Sequence, residues 1–356
     1  MGKQMWRLLA GTLDFLVVPG FGAPGYRARR RSWSDPALSV DLSGRAFVVT
    51  GANAGLGRAM CSALLQRGGA VHMVCRDRGR GEEARAALAR ETGNDNLHLH
   101  LADMAELGSV RALAEELGSL LPGGLHGLIH NAGVLLHARE ETSEGHERTF
   151  ATHVAGPFLL TRALAPALER ARPSRVVFVS SGGMYTAKLD PAALEHGPSP
   201  YDGMRAYAQA KRAQVVLARH LSKRLAPLGV VVAAMHPGWA KTGGVKRALP
   251  RFHRLLRPLL RDPAQGADTA VWLVAAEEAA DAGGRFYFDR RARREHIPLS
   301  RTRTTPAVEE ALVALCERVV EDELTSFQFL GAVSDSRFLG KASDKPTKNS
   351  NETVIP

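Results

Sequence analysis

Cysteine is scarce in this sequence. Cys61, Cys75 and Cys316 are the three among 356 residues, and no pair has metal-ligand spacing. That argues against a disulfide framework and against a cysteine-based zinc module; no metal is expected. An odd count without a framework fits reduced thiols in a reducing compartment. Acidic residues are also in deficit, 36 against 47 Lys and Arg, for a net charge of +11. Such a balance favours anionic partners such as phosphate ligands or acidic membrane surfaces. No nucleic-acid-binding module is recognisable, so nucleic acid is not an expected partner. No apolar run has the length of a transmembrane helix. The nearest candidate, Met5 to Val18, is broken by Arg7 and Asp14. Asp14 also spoils the centre of a signal peptide, and Trp6 stands where a myristoylation signal needs Ser or Thr.

What the N-terminus does have is one helical face carrying Trp6, Leu9, Leu13 and Leu16, with Arg27, Arg29, Arg30 and Arg31 close behind. This fits an interfacial helix on a membrane surface, and equally a helix docked on the protein's own surface. Residues 1–40 are therefore read as an apolar and basic N-terminal segment. A cytoplasmic protein, with or without membrane association, is expected rather than a secreted one.

From residue 46 the chain becomes regular. Short apolar runs at 46–50, 71–75, 97–101, 125–130, 176–180, 230–235 and 285–288 alternate with helical stretches such as 82–91, 107–120, 144–170 and 264–278. The runs are continuous rather than alternating, as strands buried on both faces should be. The spacing predicts an α/β fold over 41–300: a doubly wound, Rossmann-type, mostly parallel seven-stranded sheet with helices on both faces. A C-terminal helix over 301–324 opens at Pro306, and 325–356 reads as a disordered tail. The tail carries one glycosylation triplet, Asn351-Glu352-Thr353.

The first strand runs straight into TGANAGLG, Thr50 to Gly57. Glycines at 51, 55 and 57 let the backbone turn tightly and approach a pyrophosphate, and the following helix aims its N–H groups at the phosphates. Thr50, Gly51, Asn53, Gly55, Leu56 and Gly57 are thus candidate cofactor-binding residues. Further along, Tyr207 and Lys211 are four apart on a predicted helix and share a face.

This set of motifs resembles the short-chain dehydrogenases/reductases. The T-G-x-x-x-G-x-G turn is joined by Asp103 after the third strand and by Asn131-Ala132-Gly133 after the fourth. Ser180-Ser181 follows the fifth, Tyr207-x-x-x-Lys211 the helix beyond it, and Pro237-Gly238 the sixth, with Thr242 beyond. The segments VHMVCRDR, SSGGM, YDGMRAYAQAKRAQVVL, MHPGWA and GRFYFDRR narrow the resemblance to one subgroup. The resemblance implies a nicotinamide cofactor held by Asp103, Asn131, Ala132, Gly133, Pro237, Gly238 and Thr242, with Tyr207 and Lys211 beside it. It also implies Ser181, Tyr207 and Lys211 as the catalytic group, and a homodimer as a common assembly.

The chemistry fits the residue types. Carbonyl reduction needs a hydride, which the cofactor supplies, and a proton, which a tyrosine can give. A phenol with pKa about 10 is poorly matched to neutral pH, and a nearby ammonium should lower it; three units require roughly 4 kcal/mol. Ser181 would orient the substrate oxygen. Arg76, at the end of the second strand, should favour a ribose 2′-phosphate, hence NADPH over NADH. The long connection from Ser181 to Tyr207, and the Leu-rich stretch from Trp239 to Arg261, are candidate pocket walls for a small lipophilic carbonyl or alcohol.

One position departs from the family pattern F-x-x-N-x-x-G-x-F. Here it reads Phe150 to Phe158 with His153 in place of the asparagine, which in the family helps hold a water linking the lysine to solvent. His153 is therefore a candidate relay residue, expected to be neutral if buried, or else a structural histidine. Two functions follow: an NADP(H)-dependent oxidoreductase, or an NADPH-binding protein with little turnover acting through membrane or protein association.

Overall fold

A computed structural model describes residues 20–33, 39–196, 200–241, 254–297, 300 and 302–325. The apolar face from Trp6 to Leu16, Thr242, the Leu249 and Phe252 part of one candidate wall, and the tail from 326 lie outside the described residues.

The strands are β1 (Ala46–Thr50), β2 (Ala70–Cys75), β3 (Leu97–Leu101), β4 (Gly127–His130), β5 (Ser174–Val179), β6 (Val230–Met235), β7 (Phe286–Phe288) and β8 (Arg291–Arg293). Their order is β3-β2-β1-β4-β5-β6-β7-β8. β1 to β7 are parallel, and β8 returns antiparallel to β7. The helices that cover the sheet are α2 (Gly55–Leu65), α3 (Arg78–Thr92), α4 (Leu107–Leu120), α5 (Gly156–Ala163), α6 (Gly203–Leu225), α7 (Pro263–Ala275) and α8 (Pro306–Thr325). A short helix, α1 (Ala23–Arg30), precedes the sheet.

Alternation along the strands assigns the faces. Phe47 and Val49 pack with Met60, Leu64, Val271 and Leu273 of α2 and α7, whereas Val48 packs on the other face with the α4, α5 and α6 side chains. Local signals start and stop the helices where the sheet needs them. Asp77 caps α3 by accepting from Arg80 N, and Gly93 ends it at φ +66°. Asp202 caps α6, and Asp262 with Gln265 forms a capping box at α7.

The sheet has eight strands rather than the expected seven. β7 and β8 are joined by a two-residue turn, Asp289-Arg290, with both residues at positive φ (51° and 57°). Such turns ordinarily carry Asn-Gly or Asp-Gly, so this hairpin has no recognisable turn chemistry in the sequence. Ion pairs hold it instead. Arg290 binds Asp268 through two bonds of 2.8 and 2.6 Å. Asp289, fully buried, takes Arg261 at 2.6 and 2.8 Å and Arg29 at 2.7 Å.

That cluster separates Arg29 from the rest of the basic N-terminal run, since Arg27, Arg30 and Arg31 are exposed. Arg29 is 1% exposed and is no part of a membrane-facing patch; it pins α1 to the end of the sheet. Between residues 20 and 33 the segment is docked on the protein itself. No described helix is long and apolar enough to cross a membrane.

Removing Asp289 would leave Arg29 and Arg261 buried without their shared counter-ion. Asp289→Ala should cost about 3–5 kcal/mol of stability, read as a lowered midpoint of urea unfolding. An unchanged midpoint would contradict the anchoring role.

Candidate active site

The carboxyl ends of β1, β4, β5 and β6 meet along one edge of the sheet. β1 gives way to the glycine turn, where Gly51 has φ +67° and Gly55 φ +55°. Gly57 admits no side chain: a β-carbon there would stand 2.3 Å from Gly51 O and 2.6 Å from Asn131 Nδ2. Thr50 and Asn131 clasp one another across β1 and β4. Thr50 Oγ1 accepts from Asn131 N and Ala132 N, both at 3.0 Å, while Asn131 Nδ2 donates to Thr50 O (2.9 Å) and Gly51 O (3.2 Å). Their polar groups shape the turn. The N-terminus of α2 has no side-chain cap, because Ala54 holds that place, so its first N–H groups remain available to an anion such as a dinucleotide pyrophosphate. The residues present therefore fit a dinucleotide.

Around this cradle, Asn53, Gly55 and Leu56 are partly exposed, and Arg76 is exposed where β2 ends. Asp103 lies two residues beyond β3, accepting from Ala105 N (3.0 Å) and paired with Arg148 (3.4 Å). Beyond β6, Gly238 has φ +72°, and Pro237 O accepts from Arg261.

The two serines after β5 separate by role. Ser180 is buried, and its hydroxyl donates to Lys211 O (2.6 Å). Ser181 is half-buried; its Oγ accepts from Gly183 N (3.1 Å) and is hydrogen-bonded to the Tyr207 phenol. Tyr207 and Lys211 project from α6 toward the end of β5. Lys211 is 4% exposed and donates to Val179 O (2.8 Å) and Gln214 Oε1 (3.1 Å). Burial pulls its ammonium down to about 7.

The expected lowering of the tyrosine is not found. Burial pushes the Tyr207 phenol up, and the Ser181 hydrogen bond opposes this only in part. Lys211 Nζ lies 5.6 Å from the Tyr207 ring centroid, and a lysine titrating near 7 carries its charge only part of the time at neutral pH. Ser181, Tyr207 and Lys211 do come together; the electrostatic work of the lysine depends on how well its own charge is held.

His153 belongs to the same cluster. It is fully buried, and its ring meets Tyr207 edge-on at 5.5 Å. Gly133 makes room for it, since a β-carbon there would stand 2.6 Å from His153 Cε1. Burial first, and the Lys211 charge second, hold its pKa well below the ordinary histidine value, so the ring is neutral. Its Nε2 lies 3.0 Å from Val134 N and 2.8 Å from Val134 O. One nitrogen can serve only one of them at a time, and Nδ1 is buried without a partner.

His153 lies in a π-helical turn, Ala151–Ala155, directly before α5. Gly156 N bonds back to Ala151 O, and the His153 carbonyl accepts from Gln214 Nε2 (2.9 Å). Gln214, fully buried, thus bridges the Lys211 ammonium and the His153 backbone. Sequence reasoning missed it. The available signal was its position three residues after Lys211, on the same face of α6. In the connection between Ser181 and Tyr207, the Tyr185 hydroxyl donates to Arg294 O (2.7 Å) and the Tyr201 hydroxyl to Glu147 (3.0 Å).

A glycine turn between the first strand and its helix, on a doubly wound parallel sheet, defines the Rossmann-type nucleotide-binding class. Within that class the chain belongs to the short-chain dehydrogenase family, whose model matches residues 45–251. It is 40% identical to human dehydrogenase/reductase SDR family member 12 over 83% of this chain and 93% of the relative. It is also 39% identical to mouse polyprenol dehydrogenase, over 71% of this chain and 78% of that protein. Among solved structures, a candidate NAD(P)-dependent gluconate 5-dehydrogenase of Beutenbergia cavernae, with bound NADP at low occupancy, aligns with TM-score 0.56 and 27% identity, covering 69% of this chain and 95% of that one.

A hydrogen bond to a charged group contributes about 1.5–3 kcal/mol, so Gln214→Leu should lower the Lys211 pKa by about one unit or more, and Gln214→Glu should raise it. An NMR titration of ε-carbon-labelled lysine reads both directly. A titration unmoved by either substitution would remove Gln214 from the site.

Proposed function

We propose that the protein is an NADP(H)-dependent oxidoreductase acting on a small lipophilic carbonyl or alcohol. The observation that carries this reading is the convergence of Ser181, Tyr207 and Lys211 at the edge where the glycine turn opens. When bound, the cofactor supplies or accepts the hydride. The pyrophosphate would lie at the N-terminus of α2, with Arg76 facing a ribose 2′-phosphate and Asp103 the adenine. The clasp of Thr50 with Asn131, together with Ala132, Gly133, Pro237 and Gly238, would shape the nicotinamide end.

In reduction, Ser181 hydrogen-bonds the substrate oxygen and Tyr207 gives it a proton. A phenol pushed up by burial suits that direction, since it stays protonated at neutral pH. Lys211, as an ammonium, steadies the phenolate left behind. The lipophilic substrate class is supported by the polyprenol dehydrogenase among the relatives.

A second reading, cofactor binding with little turnover, is favoured by His153. Its single engaged nitrogen and orphaned Nδ1 fit poorly where an amide could satisfy both Val134 groups.

The readings separate on two measurements: NADPH titration by fluorescence and reduction of a panel of retinoids, steroids and alkanals. Turnover that falls about 100-fold or more in Tyr207→Phe, with NADPH binding retained, supports the first. Tight binding with no turnover on any member supports the second, and full activity in Tyr207→Phe would refute the acid role.

Cofactor choice has its own test. Arg76→Glu should weaken NADPH binding about ten- to hundredfold and leave NADH binding nearly unchanged. Equal losses for both would mean that Arg76 does not face the 2′-phosphate.

A further inference from the structure

Phe21 lies outside the family-matched region, which begins at residue 45, yet it reaches the candidate site. Its ring stacks on His236 at 4.9 Å, Phe288 at 5.1 Å and Trp239 at 5.7 Å. These three residues lie at the carboxyl ends of β6 and β7. The Phe21 ring edge also covers Gly182: a β-carbon on that glycine would stand 3.0 Å from Phe21 Cε1. One residue on, a β-carbon on Gly183 would lie 3.5 Å from Ser181 Oγ and 3.8 Å from the Tyr207 ring. The strip Ser181-Gly182-Gly183 therefore touches Phe21 and Tyr207 at successive residues.

The segment is held firmly. Phe21 O accepts from Trp239 N (3.0 Å) and Arg261 Nε (2.9 Å), and Gly20 O accepts from Arg29 Nη1 (2.9 Å). Both arginines end on Asp289. Buried ion clusters of this kind are weak sources of net stability compared with apolar packing of equal volume; what this one does is fix a backbone position. The residue so fixed is an aromatic that stays half-buried, with its ring edge over Gly182, next to Ser181.

We propose that Phe21 is a specificity-determining residue, an apolar wall for the hydrocarbon part of a substrate whose carbonyl oxygen lies at Ser181 and Tyr207. This rests on the reading of the site as a carbonyl and alcohol oxidoreductase. The substrate class it favours is a carbonyl compound with an extended or flat apolar group, because Phe21 and Trp239, stacked together and each half-buried, offer aromatic surface rather than a polar rim.

The native thiols make a direct test feasible. Cys61, Cys75 and Cys316 are all buried, and burial pushes each thiol up, so a cysteine at position 21 is the reactive one. In Phe21→Cys, maleimide labelling should slow about tenfold when NADP+ and 2-dodecanone are present together, since a bound ligand buries most of its surface, and should change little with NADP+ alone. The labelled protein should still bind NADPH but lose reduction of 2-dodecanone. Should Phe21→Cys fail to fold, Phe21→Leu serves: its KM for 2-dodecanone should rise several-fold more than its KM for acetone. If the parent protein reduces 2-dodecanone while labelling is unprotected, or if Phe21→Leu raises both KM values alike, Phe21 is not the wall and the activity stands. Protection without turnover by the parent would keep the wall and overturn the activity. With neither protection nor turnover, both fall.

Discussion

The parallel alignment of β1 to β7 is the constraint on which the site depends. Parallel strands all end on the same edge, so Thr50, Asn131, Ser181 and His236 arrive side by side although the sequence spreads them across nearly two hundred residues. Strands buried on both faces cannot donate polar side chains from their middles without a cost in unsatisfied groups. Chemistry is therefore confined to that edge and to whatever the helices aim at it. α6 is the helix that does so: its cap at Asp202 fixes where it begins, and the four-residue step from Tyr207 to Lys211 sets the phenol on Ser181 and the ammonium on Val179 O, at the end of β5.

Positive charge inside this fold is held by oxygen atoms in two different ways. Lys211 keeps an ammonium against burial with a backbone carbonyl and the Gln214 amide, and its pKa of about 7 reflects how close that balance is. Gln214 in turn is fixed by the His153 carbonyl within a π-helical turn, a local irregularity of a kind often found at functional sites. Arg29 and Arg261 are instead enclosed by Asp289 and four backbone carbonyls, those of Gly20, Phe21, Gly22 and Pro237. The first arrangement leaves a group free to titrate near neutral pH; the second immobilises a segment. Only the first is suited to proton chemistry.

Much of this was legible in the sequence because it follows from periodicity and short motifs. The parallel core, the glycine turn, and Ser181, Tyr207 and Lys211 all carry their own local signals. What was not legible lacks such signals. The β7–β8 turn is Asp289-Arg290 and is held at positive φ by side chains distant in sequence, so nothing local marks it. Arg29 reads as one of several exposed arginines, and only the fold brings Asp289, 260 residues later, against it. Gln214 reads as an ordinary helical residue until the π-helical turn at His153 is placed opposite. The direction of the Tyr207 pKa is hidden for the same reason: the sequence gives the neighbour, Lys211, but not the burial that pushes both groups toward their neutral forms.

His153 shows how far one substitution in a conserved-looking pattern can be absorbed. An amide side chain could give Val134 N–H an acceptor and Val134 C=O a donor at once. The imidazole has one nitrogen between them and leaves its other nitrogen orphaned in the core. A buried unpartnered nitrogen costs about 1–3 kcal/mol. Two features limit the loss. Gly133 leaves space for the ring, which packs edge-on against Tyr207. The connection to Lys211 also runs through the His153 carbonyl and Gln214, so that link is made by the backbone of residue 153. Burial and the neighbouring lysine keep the imidazole neutral there.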